Sequence, residues 1–277
     1  MKLCVLSGKG GTGKTTVAVG LAKLAGWHYI DCDVEEPNGY IFLKPSGITG
    51  QVVEVERPEI DADKCTLCKR CGEICRFHAL VTTKKGVMAF DRLCHACGAC
   101  ALVCEPGAIQ YGRRRVGLVE QGLSGSMIAR RGVLDVGEQM PVPVLRQLLS
   151  NLPEGVCVLD CPPGTSCSVA TVIAHADYAL LVTEPSAFGL HDLDLAVQLL
   201  RLRGMRFGVV INKHVPGEKL ISGYCRENSI PIMGTIAYAR EAAEVYSAGR
   251  LLTELPVYRK ALQDIAEKVK AGVMAWN

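Results

Sequence analysis

The stretch Gly8-Lys9-Gly10-Gly11-Thr12-Gly13-Lys14-Thr15-Thr16 constrains what this chain can fold into more than any other part of it. It matches G-x-x-x-x-G-K-[ST], and its flanks give the pattern meaning. An apolar run, Leu3–Leu6, precedes it; after it Val17, Leu21 and Leu24 recur at helical spacing. Strand, glycine loop and helix in that order build a phosphate site. The glycines let backbone N–H groups converge on phosphate oxygens, and the helix N-terminus adds its partial positive charge. In such a site Gly8, Gly10, Gly11, Thr12, Gly13 and Thr16 surround the phosphates. Lys14 reaches the outer ones, and the Thr15 hydroxyl completes a magnesium shell.

Lys9 departs from the general pattern. K-G-G-T-G-K-T-T resembles the deviant P-loop of the MinD/ParA/Mrp (SIMIBI-class) ATPases and, more distantly, that of the nitrogenase iron protein. The resemblance implies ATP and Mg2+ as ligands and an ATP-dependent homodimer. In that dimer Lys9 crosses the interface to the partner's nucleotide, a contact of the arginine-finger kind that is worth about 10³–10⁵ in rate. A solvated loop lysine is the alternative, and the full motif weighs against it.

Two acid-tipped strands follow. His28-Tyr29-Ile30-Asp31-Cys32-Asp33 predicts a second buried strand, and Val34-Glu35-Glu36-Pro37-Asn38 resembles switch I of the same family. There Asp33 takes the place of the aspartate that orients the attacking water, with Asn38 a lesser candidate. A carboxylate after a strand also serves as an ordinary helix N-cap. Farther on, Val156-Cys157-Val158-Leu159-Asp160 leads into Cys161-Pro162-Pro163-Gly164, which resembles Walker B and switch II of Mrp-like ATPases. This implies Asp160 as a magnesium holder and a backbone approach of Gly164 to the γ-phosphate. Phe207–Ile211 ends at Asn212-Lys213, where the superfamily's asparagine reads the base. A guanine site needs an aspartate where Val215 stands, so ATP is favoured over GTP.

Between these halves the texture changes. Cys65-x2-Cys68-x2-Cys71-x3-Cys75 returns, 29 residues on, as Cys94-x2-Cys97-x2-Cys100-x3-Cys104, and Ala79-Leu80 is echoed by Ala108-Ile109. This doubled run resembles a two-cluster bacterial ferredoxin. The resemblance implies that Cys65, Cys68, Cys71 and Cys104 hold one [4Fe-4S] cluster, and that Cys94, Cys97, Cys100 and Cys75 hold a second. Zinc in Cys4 sites competes, but zinc ribbons lack the third cysteine and the x3 spacing. The ferredoxin run expects proline after its fourth cysteine; here Arg76 and Glu105 stand there. Arg76 would place positive charge near a cluster and favour its reduced form. His78 and His95 read as surface residues or hydrogen-bond donors rather than ligands. Cys167 stands seven residues after Asp160, where the iron protein carries a cluster ligand shared between subunits. A dimer-bridging thiol and a buried structural thiol are both open for it. Buried thiols are expected for Cys4, Cys32, Cys157 and Cys225.

The remaining sequence bounds the answer. With 277 residues, 49% of them hydrophobic, the chain can bury one large α/β core plus a small module. A formal charge of +3 gives no footprint for nucleic acid, and Arg113-Arg114-Arg115 is too short to change that. No apolar stretch is long enough for stable membrane insertion. The phosphate loop begins too early for a signal peptide, and fourteen cysteines argue for metal ligands in a reducing, cytoplasmic setting. Leu262, Ile265, Val269 and Val273 mark an amphipathic tail helix, expected to pack on the sheet rather than touch a membrane as the MinD tail does. Further strands are expected over 132–136, 178–182 and 232–236, and a proline-led helix over 141–152.

The fold class is therefore α/β: a doubly wound, mostly parallel sheet with an inserted, small α+β ferredoxin-like 2[4Fe-4S] domain. Residues 1–58 and 113–277 form the P-loop ATPase, and 59–112 the insertion. Three functions follow from the resemblances. The first is ATP turnover, slow and partner-stimulated in this family's manner, coupled to electron transfer toward an unknown redox partner. The second is delivery of clusters to an acceptor protein. The third is a MinD/ParA-type positioning ATPase with structural or sensory clusters.

Overall fold

Runs that are apolar on both faces belong in the middle of a sheet covered by helices on both sides. The computed structural model describes residues 1–274. Its strands are β1 (Lys2–Leu6), β2 (His28–Asp31), β3 (Ser46–Ile60), β4 (Leu80–Thr83), β5 (Gly86–Ala89) and β6 (Ile109–Ser124). They continue with β7 (Met127–Leu134), β8 (Cys157–Asp160), β9 (Tyr178–Thr183), β10 (Phe207–His214) and β11 (Ile232–Ala237). Nine of them form one sheet in the order β11-β10-β9-β1-β8-β2-β7-β6-β3. From β11 to β7 all neighbours are parallel; β6 and β3 add an antiparallel margin. The sheet is doubly wound and mostly parallel, as its α/β pattern requires.

Alternation along β1 assigns the two faces. Cys4 and Leu6 point to a layer made by α5 (Pro141–Leu149), α6 (Cys167–Ile173), α7 (Ala187–Leu202) and α8 (Leu220–Glu227), which contribute Leu145, Leu148, Val169, Leu193, Val197 and Ile221. Leu3 and Val5 point the other way, to α1 (Lys14–Ala25), α2 (Gly39–Leu43) and α10 (Pro256–Met274). In α10 the side chains of Leu262, Ile265 and Val269 are buried, each contributing roughly 1.5–3 kcal/mol. A Cβ on Gly20 of α1 would run into Leu262, so the two helices pack with a glycine at their contact. The tail stripe is thus used against the sheet; the Val273 side chain lies outside those described. Among the described residues no helix is long and apolar enough to cross a membrane.

Element ends differ modestly from expectation. β2 stops at Asp31 rather than reaching Asp33, and α5 stops at Leu149. β7 begins at Met127, five residues before the expected start, because the β6–β7 hairpin turns on Gly125 (φ 67°) and the arginines of the strand mask its pattern. The larger difference is the sheet margin. Neither β3 nor β6 is legible as a strand, yet they pair from Ser46↔Leu123 to Ile60↔Ile109, with register shifts between Ser46 and Thr49 and between Val53 and Glu54. Pro58 lies in this ladder, which an edge strand tolerates because its other side has no neighbour to bond.

The ladder also explains the arginine run. Arg113 faces Glu54 at 3.7 Å, Arg114 pairs with Glu138, and Arg115 donates to both carboxylate oxygens of Asp135 at 2.9 and 3.0 Å. The run is neutralised within the chain.

Residues 61–108 hang between Ile60 and Ile109, carrying α3 (Arg70–Ile74), the β4–β5 hairpin and α4 (Ala99–Leu102). Because Ile60 and Ile109 are already paired, replacing 61–108 by Asn-Gly would close the hairpin with a two-residue turn. The shortened chain is expected to keep its sheet and its thermal transition. Circular dichroism and a melt would check this; loss of the cooperative transition would show that the insert is needed for the sheet.

Candidate functional site

β1 delivers the glycine loop to the C-terminal edge of the sheet, between β8 and β9, where doubly wound folds take their ligands. Gly13 sits at φ 88° as the residue before α1, whose first turn has no side-chain cap and keeps its N–H groups free for an anion. A Cβ on Gly13 would strike Nδ2 of Asn212, whose amide donates to the Thr12 carbonyl at 2.6 Å. Thr12 is buried and its Oγ1 has no hydrogen-bond partner, an unmet polar group that a phosphate oxygen or its bound ion would satisfy. A cavity of about 310 Å³ opens beside the loop, lined by Gly11, Gly13, Thr16, Asn212, Tyr238 and Tyr258 among others. Asn212 thus joins the loop to the wall of this cavity.

Beneath the loop lies a buried charge network. Lys14 Nζ contacts Asp160 Oδ1 at 2.7 Å, with the lysine 6% and the aspartate 0% exposed. Burial works against the Lys14 charge, but the Asp160 carboxylate outweighs it and holds the ammonium above its ordinary range. Lys14 Nζ also reaches Thr15 Oγ1 at 3.5 Å. Tyr29 donates to Asp160 Oδ2 at 2.8 Å and lies 3.1 Å from Asp31 Oδ2, while Asp31 accepts from the Gly39 and Asp33 N–H groups. Burial, with the Asp160 charge next, pushes Asp31 up to about 7.

Tyr29 and Asp31 did not emerge from motif reading. Their signal was positional: an acid ending a strand that pairs Asp31 with Asp160 in register. Asp33, one turn beyond, is lifted by burial to about 6, against the pull of Lys14. It caps no helix, since α2 begins at Gly39 after Asn38, so the N-cap reading is removed. Gly164 of the second acid-tipped segment donates its N–H to the Ser7 carbonyl at 2.9 Å, bringing that turn against Gly8.

Lys9 is engaged within its own chain. Its ammonium contacts Glu184 Oε1 at 2.7 Å, and Lys213 contacts Glu184 Oε2 at 2.7 Å while also donating to the Gly11 carbonyl. Burial works against the Glu184 charge, but these two lysines outweigh it and hold its carboxyl below the usual range. Glu184, the residue just after β9, is the third that motifs missed.

The cysteines divide sharply. Cys4, Cys32, Cys157, Cys161 and Cys225 are buried in the ATP-loop half of the chain. Cys167 is exposed at the start of α6, which corrects the buried-thiol reading of it. The other eight line two small cavities of about 20 Å³ each. Cys65, Cys68, Cys71 and Cys104 face the first; Cys75, Cys94, Cys97 and Cys100 face the second. Each repeat thus supplies one cysteine to the other's cavity. Among the described residues no three His, Cys, Asp or Glu side chains converge tightly enough for a single metal ion; these thiols surround space instead.

The backbone repeats as well. Leu67 and Ala96, Lys69 and Gly98, and His78 and Gly107 are equivalent positions, and all six have positive φ. Four of them are not glycine, so this wrapping conformation stores strain that something must offset. The apolar centre available is small: Leu80 with Cys71 and Cys100. Arg76 and His78 are exposed, and His95 stacks on Phe77 at 3.8 Å.

A glycine loop leading to a helix and two acid-tipped parallel strands beside it define a nucleotide-binding protein of the P-loop class. The chain belongs to the CobQ/CobB/MinD/ParA nucleotide-binding domain family, whose pattern matches residues 3–252. An uncharacterized protein of Methanocaldococcus jannaschii is 30% identical over 221 residues, 77% of this chain and 78% of that protein. The iron-sulfur cluster carrier protein of Pyrococcus abyssi is 27% identical over 300 residues, covering 97% of this chain and 85% of its own length. The solved septum site-determining protein MinD of Pyrococcus horikoshii, complexed with Mg-ADP, superposes with a TM-score of 0.58 at 18% identity, over 97% of this chain and 95% of that one. That likeness speaks for the fold.

The acidic network makes stability depend on pH in a definite direction. With Asp31 near 7 and Asp33 near 6, the native chain keeps protons that the unfolded chain releases near pH 4. Stability without nucleotide or magnesium is therefore expected to fall as pH rises from about 4 through about 7, by several kcal/mol. Asp31→Asn should flatten the slope. Thermal melts across this range check it, and a wild-type stability that climbs with pH contradicts it.

Proposed function

We propose that this chain is an iron-sulfur, MinD/Mrp-like ATPase. In this reading ATP binding and hydrolysis in a nucleotide-bridged homodimer are coupled to electron transfer through two [4Fe-4S] clusters. The observation that carries the reading is the division of eight thiols into two cavities of equal size, crossed between repeats as the ferredoxin spacing requires. The donor set fits: thiolates suit iron-sulfur clusters, and a tetrahedral zinc would draw its sulfurs to about 2.3 Å from one point rather than around a cavity. The strained, repeat-matched backbone and scant apolar centre also favour a module that folds around its metal. When bound, such clusters would accept and release single electrons.

The chain's own residues supply the other half. Lys14 would exchange part of its contact with Asp160 for the outer phosphates. The Thr15 hydroxyl and Asp160 would then hold Mg2+, whose charge replaces that of the lysine beside the carboxylate. Asp33, half-buried and facing the same space, would orient the attacking water. Gly164, tied to Ser7, would report the γ-phosphate to its turn. Lys9 would leave Glu184 to reach the partner's nucleotide. Asn212 would face the base.

Cluster delivery is the second reading. It is favoured by the similarity to the iron-sulfur cluster carrier protein, and exposed Cys167 is the thiol free to serve it. Against it, each cavity already offers four protein ligands, a set suited to retention rather than release.

Protein purified without oxygen, chemically reduced and mixed with ATP separates the readings. Reoxidation by an added acceptor without iron loss is expected; iron leaving with ATP would instead support delivery. Lys14→Ala should abolish ATP turnover, and Lys9→Ala should lower it by about 10³-fold. Unchanged turnover in the Lys9 variant removes its cross-dimer role.

A further inference from the structure

The two halves of the chain meet at one short turn, residues 134–138 between β7 and α5. Its inner side belongs to the nucleotide half. Asp33 lies in the field of Lys14 and Asp160 under the glycine loop, and Val34, next in sequence, is buried. The Val34 carbonyl accepts from the Leu134 N–H at 2.8 Å, and a Cβ on Gly132 would stand 2.5 Å from Val34 Cγ1. Nothing fits between Val34 and the end of β7, so a displacement of one is passed to the other.

The outer side of the turn grips the strand and the loop that enter the second cavity. Asp135 donates its N–H to the Val116 carbonyl at 3.0 Å and takes Arg115 on both carboxylate oxygens. Glu138, its side chain 3% exposed, accepts from the Gln139 and Met140 N–H groups and pairs with Arg114. These contacts fix β6, which also carries Tyr111; that side chain lines the second cavity with its hydroxyl 3.3 Å from Cys100 Sγ. Gly137 turns at φ 78°, and the Arg92 guanidinium covers it so closely that a Cβ there would stand 2.8 Å from Nη1. Two residues after Arg92 comes Cys94, which lines the same cavity. At the repeat offset of 29, Arg92 answers to Asp63, which is exposed and joins no ion pair among the described residues.

We propose that the turn 134–138 couples the two sites: nucleotide at the glycine loop acts on the second cavity through Val34, this turn, β6 and Arg92, and the redox state of that cavity acts back on nucleotide affinity. This regulation presupposes the reading that both cavities take [4Fe-4S] clusters. Its driving difference lies at Lys14, whose contact with Asp160 phosphate and Mg2+ would rearrange beside Asp33. Coupling between two binding equilibria is reciprocal, and factors of about 5–150 are typical. Arg92, Asp135 and Glu138 are positioning residues here.

The test uses the full chain, purified without oxygen, with iron and sulfide measured first. The Kd of the non-hydrolysable analogue adenylyl imidodiphosphate with Mg2+ is then measured before and after reduction by dithionite. In the wild type the two values should differ by about fivefold or more. Arg92→Ala combined with Asp135→Ala frees the turn from the cysteine segment and from Arg115, leaving Glu138 on Arg114; the ratio should fall toward one with iron content kept. Arg76→Ala, which removes an exposed cation beside Cys75 of the same cavity, should keep the wild-type ratio. Should the double variant lose its iron, hydrogen exchange of the wild type decides: the analogue should slow exchange in 132–138 and in 91–97. Equal Kd values in the two redox states, an undiminished ratio in the double variant, a ratio lost equally in Arg76→Ala, or unchanged exchange in both stretches overturns the proposal while the cluster reading stands. A chain free of iron and sulfide defeats the cluster reading itself, and this proposal with it.

Discussion

An ammonium and a carboxylate, both removed from water, face each other under the glycine loop, and much of this molecule is arranged to keep them there. A buried ion pair is held by geometry and by further hydrogen bonds rather than by Coulomb attraction alone. Here the remaining oxygen of Asp160 is occupied by Tyr29, and Tyr29 is shared with Asp31. The strands that carry these groups are therefore bound to one register: β8 beside β1 on one side and β2 on the other. A slip of one residue would turn Asp160 and Asp31 to the opposite face, and the lysine would lose the carboxylate it contacts.

The same sheet extends outward to the cysteine-bearing segment without a break. The loop after Asp33 is tied to β7 by the Leu134 N–H on the Val34 carbonyl at 2.8 Å. Just beyond β7, Asp135 and Glu138 take Arg115 and Arg114 of β6, and Arg92 of the cysteine segment lies against Gly137. Arg57, near the end of β3, adds a contact to Asp91 at 3.0 Å. The two halves are joined by paired strands and ion pairs rather than by a slack linker.

Much of this was legible in the residues. The glycine loop, the acid-tipped strands and the spacing of the eight cysteines are dense local patterns, and each carries its geometry in a few consecutive positions. The crossing of Cys75 and Cys104 into opposite cavities follows from the same spacing. What was hidden is non-local. β3 and β6 hide because glycines and Pro58 interrupt one and three arginines crowd the other, and their partners lie about fifty to eighty residues apart. Tyr29, Asp31 and Glu184 hide for a related reason: nothing nearby in sequence marks them, and only the register of β2 with β8, or the return of β9 beside β1, brings them to the loop. Cys167 misled because a thiol is usually buried, and a helix start on the surface is the exception.

The pairing of Lys9 with Glu184 has a consequence for how readily the loop changes hands. The lysine side chain is 32% exposed, and contacts of that kind amount to about 1 kcal/mol or less. Parting them therefore costs little. Glu184, left with Lys213 still in contact, keeps a counter-charge and is not stranded. The arrangement is a parking place rather than a lock: it keeps a reactive cation from wandering, and it yields to any stronger anion brought within reach.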